Sequence, residues 1–175
     1  RSHRVVNTRK NASYPTLTRY ITQERWLELI QHSDHDTAPG KSGLSYKYIA
    51  ESPTAVKEFL RSMVNLCLQA GSIPEAWHEA LLFPLTKDPT KGASIQNGRP
   101  ICLLETPLKL LTRHLNDAIQ DTVYIQELMH KLQNGFSRKL GTETALRLLT
   151  TILNTRSQQG QATHIAYLDL ASAFN

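Results

Sequence analysis

Asp169 stands at the exit of the apolar run Ile165-Ala166-Tyr167-Leu168, just before Leu170-Ala171-Ser172-Ala173-Phe174. A carboxylate at the end of a strand can face a cleft while its neighbours bury in a core. Phosphoryl transfer by two metals needs such carboxylates, placed to clamp ions roughly 4 Å apart. The other reading of a strand-end aspartate is a cap on the helix that follows. Lys87 and Arg99 come next, flanking a polar, turn-rich segment. With Lys91, Lys109 and Arg113 they form a basic group diluted only by Asp88, Glu105 and Asp117. Arg1, Arg4, Arg9, Lys10 and Arg19 form an earlier group that precedes any acidic residue. Cations so grouped can neutralise phosphates, with binding that weakens steeply in salt. The plain alternative for charges beside a turn is a solvated basic tip.

The chain has 175 residues, about one domain. Lysine plus arginine exceed aspartate plus glutamate by 20 to 15, a formal charge of +5. That mild excess fits a generic basic protein as well as a nucleic-acid binder. Cys67 and Cys102 both lie in apolar runs and read as buried thiols in a reducing compartment. No apolar run approaches membrane-spanning length, so no membrane partner is expected. No secretory signal opens the chain, which favours an intracellular, non-secreted protein and leaves the sequon at Asn11 unused.

Several elements must position these residues. Residues 1–21 read as a basic arm, followed by a short amphipathic helix over 22–32 with Trp26, Leu29 and Ile30. A polar loop runs to Gly43. Ser52 and Pro53 open a long helix striped by Val56, Phe59, Leu60, Met63, Val64, Cys67 and Leu68, and Gly71 ends it. The runs 81–85 and 100–104 read as strands that pair in a hairpin with a long basic tip. Thr106-Pro107 starts a helix with Leu108, Leu111, Leu115 and Ile119 on one face. Thr142 caps another, carrying Ala145, Leu148, Leu149, Ile152 and Leu153, and Gly160 stops it. Residues 162–170 read as a final strand. Helices, a hairpin, helices and a strand make an α+β protein. Because the chain ends just past that strand, a partial chain is expected.

The stretch Tyr167-Leu168-Asp169-Leu170-Ala171-Ser172-Ala173-Phe174 resembles the first palm motif of reverse transcriptases. Pro39-Gly40-Lys41-Ser42-Gly43-Leu44 is similar to the loop preceding the fingers in non-LTR retrotransposon and group II intron enzymes. Ile73-Pro74, Trp77, Leu82, Pro84 and Lys87 match the pattern opening the fingers. Asn97-Gly98-Arg99-Pro100-Ile101-Cys102-Leu103 resembles the arginine-proline-isoleucine motif of the second fingers strand, with Lys109 at its downstream lysine. Gln133-Asn134-Gly135-Phe136 resembles the block before the palm helix, and residues 142–145 its end. Each motif is weak alone, but together they run in the family's order from Pro39 to Phe174.

The resemblance implies right-hand polymerase fingers with a partial palm, helices packed around a β-hairpin and a terminal palm strand. It divides the chain into a basic arm and short helix (1–38), fingers with the start of the palm (39–160) and the first palm strand with its catalytic motif (161–175). It implies that Asp169 binds Mg2+, with the Leu170 carbonyl assisting. It also implies that Ala173 and Phe174 meet the incoming nucleotide, Phe174 excluding a 2′-hydroxyl, although plain core packing also explains Phe174. Lys87 and Arg99 would close on a triphosphate and neutralise charge moving to the leaving group. The implied partners are an RNA template, a DNA primer, a deoxynucleoside triphosphate and the remainder of the palm and thumb. The intact element's protein would work in the nucleus. The second pair of catalytic aspartates is not in the sequence, so the stretch is expected to be inactive alone. Asn175 and Ser137 depart from the family pattern. The competing reading is a non-catalytic nucleic-acid-binding remnant of a retroelement. Gly40-Lys41-Ser42 is no P-loop, since His35 stands where its first glycine is needed. His32, Asp34, His35 and Asp36 read as a solvated loop, not a metal site.

Overall fold

A computed structural model describes residues 19–88, 90, 98–125, 129–130, 132–137 and 140–170. The chain divides into two compact units, Arg1–Thr122 and Val123–Asn175. Among the described residues there are five α-helices, one 3-10 turn and a two-stranded antiparallel sheet, an α+β content.

The first unit opens on α1 (Gln23–Gln31), which Thr22 caps by accepting the Arg25 N–H at 3.2 Å. Its apolar residues recur at helical spacing, so one face buries Trp26, Leu29 and Ile30. A six-residue helix, α2 (Tyr46–Glu51), adds Tyr46 and Ile49. Ser52 closes α2, donating to the Ile49 carbonyl at 2.8 Å, and Pro53 takes the N-cap of α3 (Thr54–Ala70). Ser52 therefore does not cap α3: Pro53 takes the N-cap position, and no side chain caps that helix. Gly71 ends α3 at φ +64°, a left-handed position that glycine enters without Cβ strain. From α3, Asn65 holds both backbone groups of Ile21: its Oδ1 accepts the N–H at 2.8 Å and its Nδ2 donates to the carbonyl at 3.0 Å. Arg61 donates to that same carbonyl at 3.0 Å. These bonds fix the entry segment over a core of Trp26, Leu29, Ile49, Leu60, Val64, Trp77, Leu110 and Leu111. Val56 and Phe59, read as part of the α3 stripe, are exposed.

A 3-10 turn at Glu75–Trp77 sinks Trp77 into the core and launches β1 (Leu81–Thr86). It pairs with β2 (Gly98–Leu103), and α4 (Thr106–Ile125) follows. Leu110 and Leu111 bury on α4, whereas Ile119 stays exposed. Cys102 is exposed, contrary to its apolar surroundings in sequence, because no described residue covers the faces of the ribbon.

In the second unit α5 (Thr142–Gln158) starts after Gly141, not on a Thr142 cap, and buries no residue. Gly160 terminates the run at φ +64°. Residues 161–170 carry no strand and are exposed. This corrects the expected terminal palm strand: extended backbone becomes a strand only when a neighbour completes its hydrogen-bond ladder, and no described segment pairs with it.

Candidate functional site

The β1–β2 ribbon carries the two hairpin cations. Its register pairs Leu81 with Leu103, Phe83 with Ile101 and Leu85 with Arg99. Paired residues share a face, so Arg99 joins an apolar row of Phe83, Leu85 and Ile101. The opposite face holds Leu82, Cys102, Pro84, Pro100 and Thr86. Pro84 lies directly across from Pro100. Neither has an N–H to donate, in keeping with proline's confinement to edges that face solvent, and this discourages further strands. Lys87 follows β1 immediately, two residues beyond Leu85 and hence close to Arg99 along the ribbon. Both cations are exposed, and no ion pair among the described residues involves either. The structure thus brings Lys87 and Arg99 together on one hairpin. Lys91 lies outside the described residues.

Lys109 and Arg113, grouped with these cations by sequence, are committed to α4's own surroundings. Lys109 Nζ donates to the Ala38 carbonyl at 2.6 Å and sits 5.9 Å from the Tyr46 ring centroid. Partial burial lowers its pKa, with Glu105 opposing the shift. Arg113 donates to the His32 carbonyl at 3.0 Å. Both hold the loop over residues 32–38 through bonds to main-chain carbonyls.

Asp169 lies in the second unit, exposed, with its Oδ1 accepting the Leu170 N–H at 3.0 Å. Leu170 is also exposed. Ala173 and Phe174 lie outside the described residues. Among the described residues no group of three His, Cys, Asp or Glu side chains converges to hold a metal. Asp169 is a hard oxygen donor of the kind Mg2+ prefers, yet one carboxylate does not complete a site. In the 133–137 block the bonds are local: Gln133 Nε2 to the Gly135 carbonyl at 2.9 Å and Ser137 Oγ to the Gln133 carbonyl at 2.8 Å.

The residue that sequence reasoning missed is Glu105. It is buried at 4% exposure and accepts both the N–H and the hydroxyl of Ser42, 63 positions away. In sequence Glu105 showed only as an acid diluting a basic group, and its distant partner left no sign. No helix among the described residues is long and apolar enough to cross a membrane.

Comparison with known proteins adds relatives. No family model matches the chain. The RNA-directed DNA polymerase from mobile element jockey of Drosophila melanogaster is 24% identical over 155 residues, covering 89% of this chain and 17% of that protein. The retrovirus-related Pol polyprotein from type-1 retrotransposable element R2 of Popillia japonica is 28% identical over 139 residues, covering 79% of this chain and 18% of the relative. A probable RNA-directed DNA polymerase from transposon BS of Drosophila melanogaster is 21% identical over 155 residues. The chain spans less than a fifth of the length of these relatives. The matched stretch takes in the hairpin and its flanking loops, and over most of its length the chain is a homologue of the RNA-directed DNA polymerases of non-LTR retrotransposons.

Proposed function

We propose that this chain supplies the fingers hairpin and the first palm motif of an RNA-directed DNA polymerase that extends a DNA primer on an RNA template. The observation that carries the reading is the match, over 79–89% of the chain, to relatives named as mobile-element polymerases. The exposed cation pair on the hairpin gives it a chemical basis. Lys87 and Arg99 receive the triphosphate of a deoxynucleotide and neutralise the charge that gathers on pyrophosphate as the primer 3′-hydroxyl attacks the α-phosphate. Arg99 can donate two parallel bonds to phosphate oxygens, whereas Lys87 acts as a point charge. Asp169 would hold Mg2+ with the Leu170 carbonyl beside it, and the remaining acids are not among the described residues. When bound, Mg2+ neutralises charge developing on the attacking and leaving oxygens. Ala173 and Phe174 would meet the incoming nucleotide, with the Phe174 ring under its sugar to exclude a 2′-hydroxyl. Such a polymerase works inside the cell, in the nucleus for an element that integrates there.

The test is primer extension by a polymerase carrying this chain. Asp169→Asn is expected to abolish extension while template binding persists, since removing one carboxylate charge should spare phosphate contacts made elsewhere. Extension at the wild-type rate removes Asp169 from the site. Template binding without extension in the wild type as well leaves the non-catalytic remnant as the function.

A further inference from the structure

The hairpin is attached to the first unit chiefly at its base. Apart from Gly98 and the half-buried Leu103, every residue of both strands is exposed, so side-chain packing does little to hold the ribbon in one direction. Its direction must be set where the strands enter and leave. Leu81 and Leu103 form the basal pair, Glu79 lies two residues before the first and Glu105 two residues after the second. One short loop grips both. Lys41 pairs with Glu79, and the adjacent Ser42 gives its N–H to Glu105 Oε1 at 2.8 Å and its hydroxyl to Oε2. Thr106 Oγ1 donates to the Leu44 carbonyl, and Lys109 holds Ala38. Gly40 packs so closely that a Cβ there would lie 2.7 Å from the backbone of Leu104 and Glu105.

We infer that residues 38–44 form a collar that fixes the direction of the hairpin, with Glu105 as its principal positioning residue. The part of this inference that concerns phosphate rests on the function proposed above. The two halves of the collar are unequal. Lys41 and Glu79 are exposed at 62% and 61%, where an ion pair contributes little. Glu105 is buried with both oxygens engaged, where losing a partner leaves a carboxylate unsatisfied. A cavity of about 360 Å³ beside the collar, lined by Ser42, Leu60, Met63, Trp77 and Glu105, leaves hydrogen bonds, more than packing, to hold it. The collar therefore sets where Lys87 and Arg99 project without touching a ligand itself.

The test measures direction and binding separately in the full chain. Spin labels go on the exposed Cys102 of β2 and on a Gln69→Cys site in α3, with the buried Cys67 replaced by alanine throughout. The parent should give one narrow distance distribution. Ser42→Ala, Glu105→Ala and Gly40→Ala should broaden it, and dTTP affinity should fall several-fold although both tip cations remain. Ser42→Ala spares the loop's backbone and keeps the test informative should Glu105→Ala fail to fold. Distances as narrow as the parent's in both the folded Ser42→Ala and the folded Gly40→Ala chains overturn the collar. Broadened distances with unchanged dTTP affinity overturn its positioning role. If Arg99→Ala binds dTTP as the parent does while Ser42→Ala still broadens the distances, the triphosphate reading fails and the collar stands.

Discussion

Helices α3 and α5 are each 17 residues long, yet α3 buries Leu60, Val64 and Cys67 whereas α5 buries nothing. Both carry apolar residues at helical spacing, so the sequence period does not separate them. What separates them is the company of other elements. The polar side chains of α3 reach 40 and 44 positions back to Ile21, tying a distant segment onto a shared core. Those of α5 reach neighbours: Arg147 pairs with Glu143, and Arg156 donates to Thr163 at 2.9 Å. Periodicity writes a helix, and long-range contact makes it stable. The second unit should therefore open locally well below the free energy that unfolds the first.

Substitutions in the two units should sharpen that contrast. Trp26→Ala removes a fully buried indole and should cost about 3–5 kcal/mol in denaturant unfolding of the first unit. The matching truncation in α5, Leu149→Ala, should cost less than about 1 kcal/mol. Equal losses would break the comparison. Asn65→Ala should come next, at about 1–3 kcal/mol, because it strips both of its bonds to Ile21, leaving only Arg61 on the carbonyl. The smallest effect is that of acid. Glu24 has its pKa lowered below 4.5 by a backbone hydrogen bond, Glu28 by the Arg25 side chain and Glu79 by Lys41. A carboxylate with a depressed folded pKa contributes stability above its unfolded value and loses it as pH falls through the folded one. The first unit should thus weaken only below pH 4.5, and the three groups' exposure keeps the change slight. A melting temperature that instead falls between pH 7 and 5 would show that other groups govern it.

Much of this was legible in the residues. Thr22 marked the start of α1, Gly71 the end of α3, and the two apolar runs gave the hairpin and its partners. The six-residue α2 was not legible, since Tyr46 and Ile49 alone are too few to define a period. The apolar run before Asp169 expressed a preference for extended backbone, but a preference names no partner strand. Cys102 sits among apolar neighbours on a ribbon that no described residue covers, so local hydropathy misjudged its exposure. At the candidate site, sequence placed Lys87 and Arg99 on one hairpin. It could not show that Glu105 binds Ser42, because a contact across 63 residues leaves no local pattern.

The most direct test of the phosphate role compares dTTP with dTMP binding to the chain before and after Arg99→Ala. If the hairpin cations meet the outer phosphates, the substitution should lower dTTP affinity by about tenfold or more, as expected for losing charge-assisted hydrogen bonds, and leave dTMP affinity as it was. Equal affinity for dTTP in both proteins, or an equal fall for both nucleotides, would contradict the assignment.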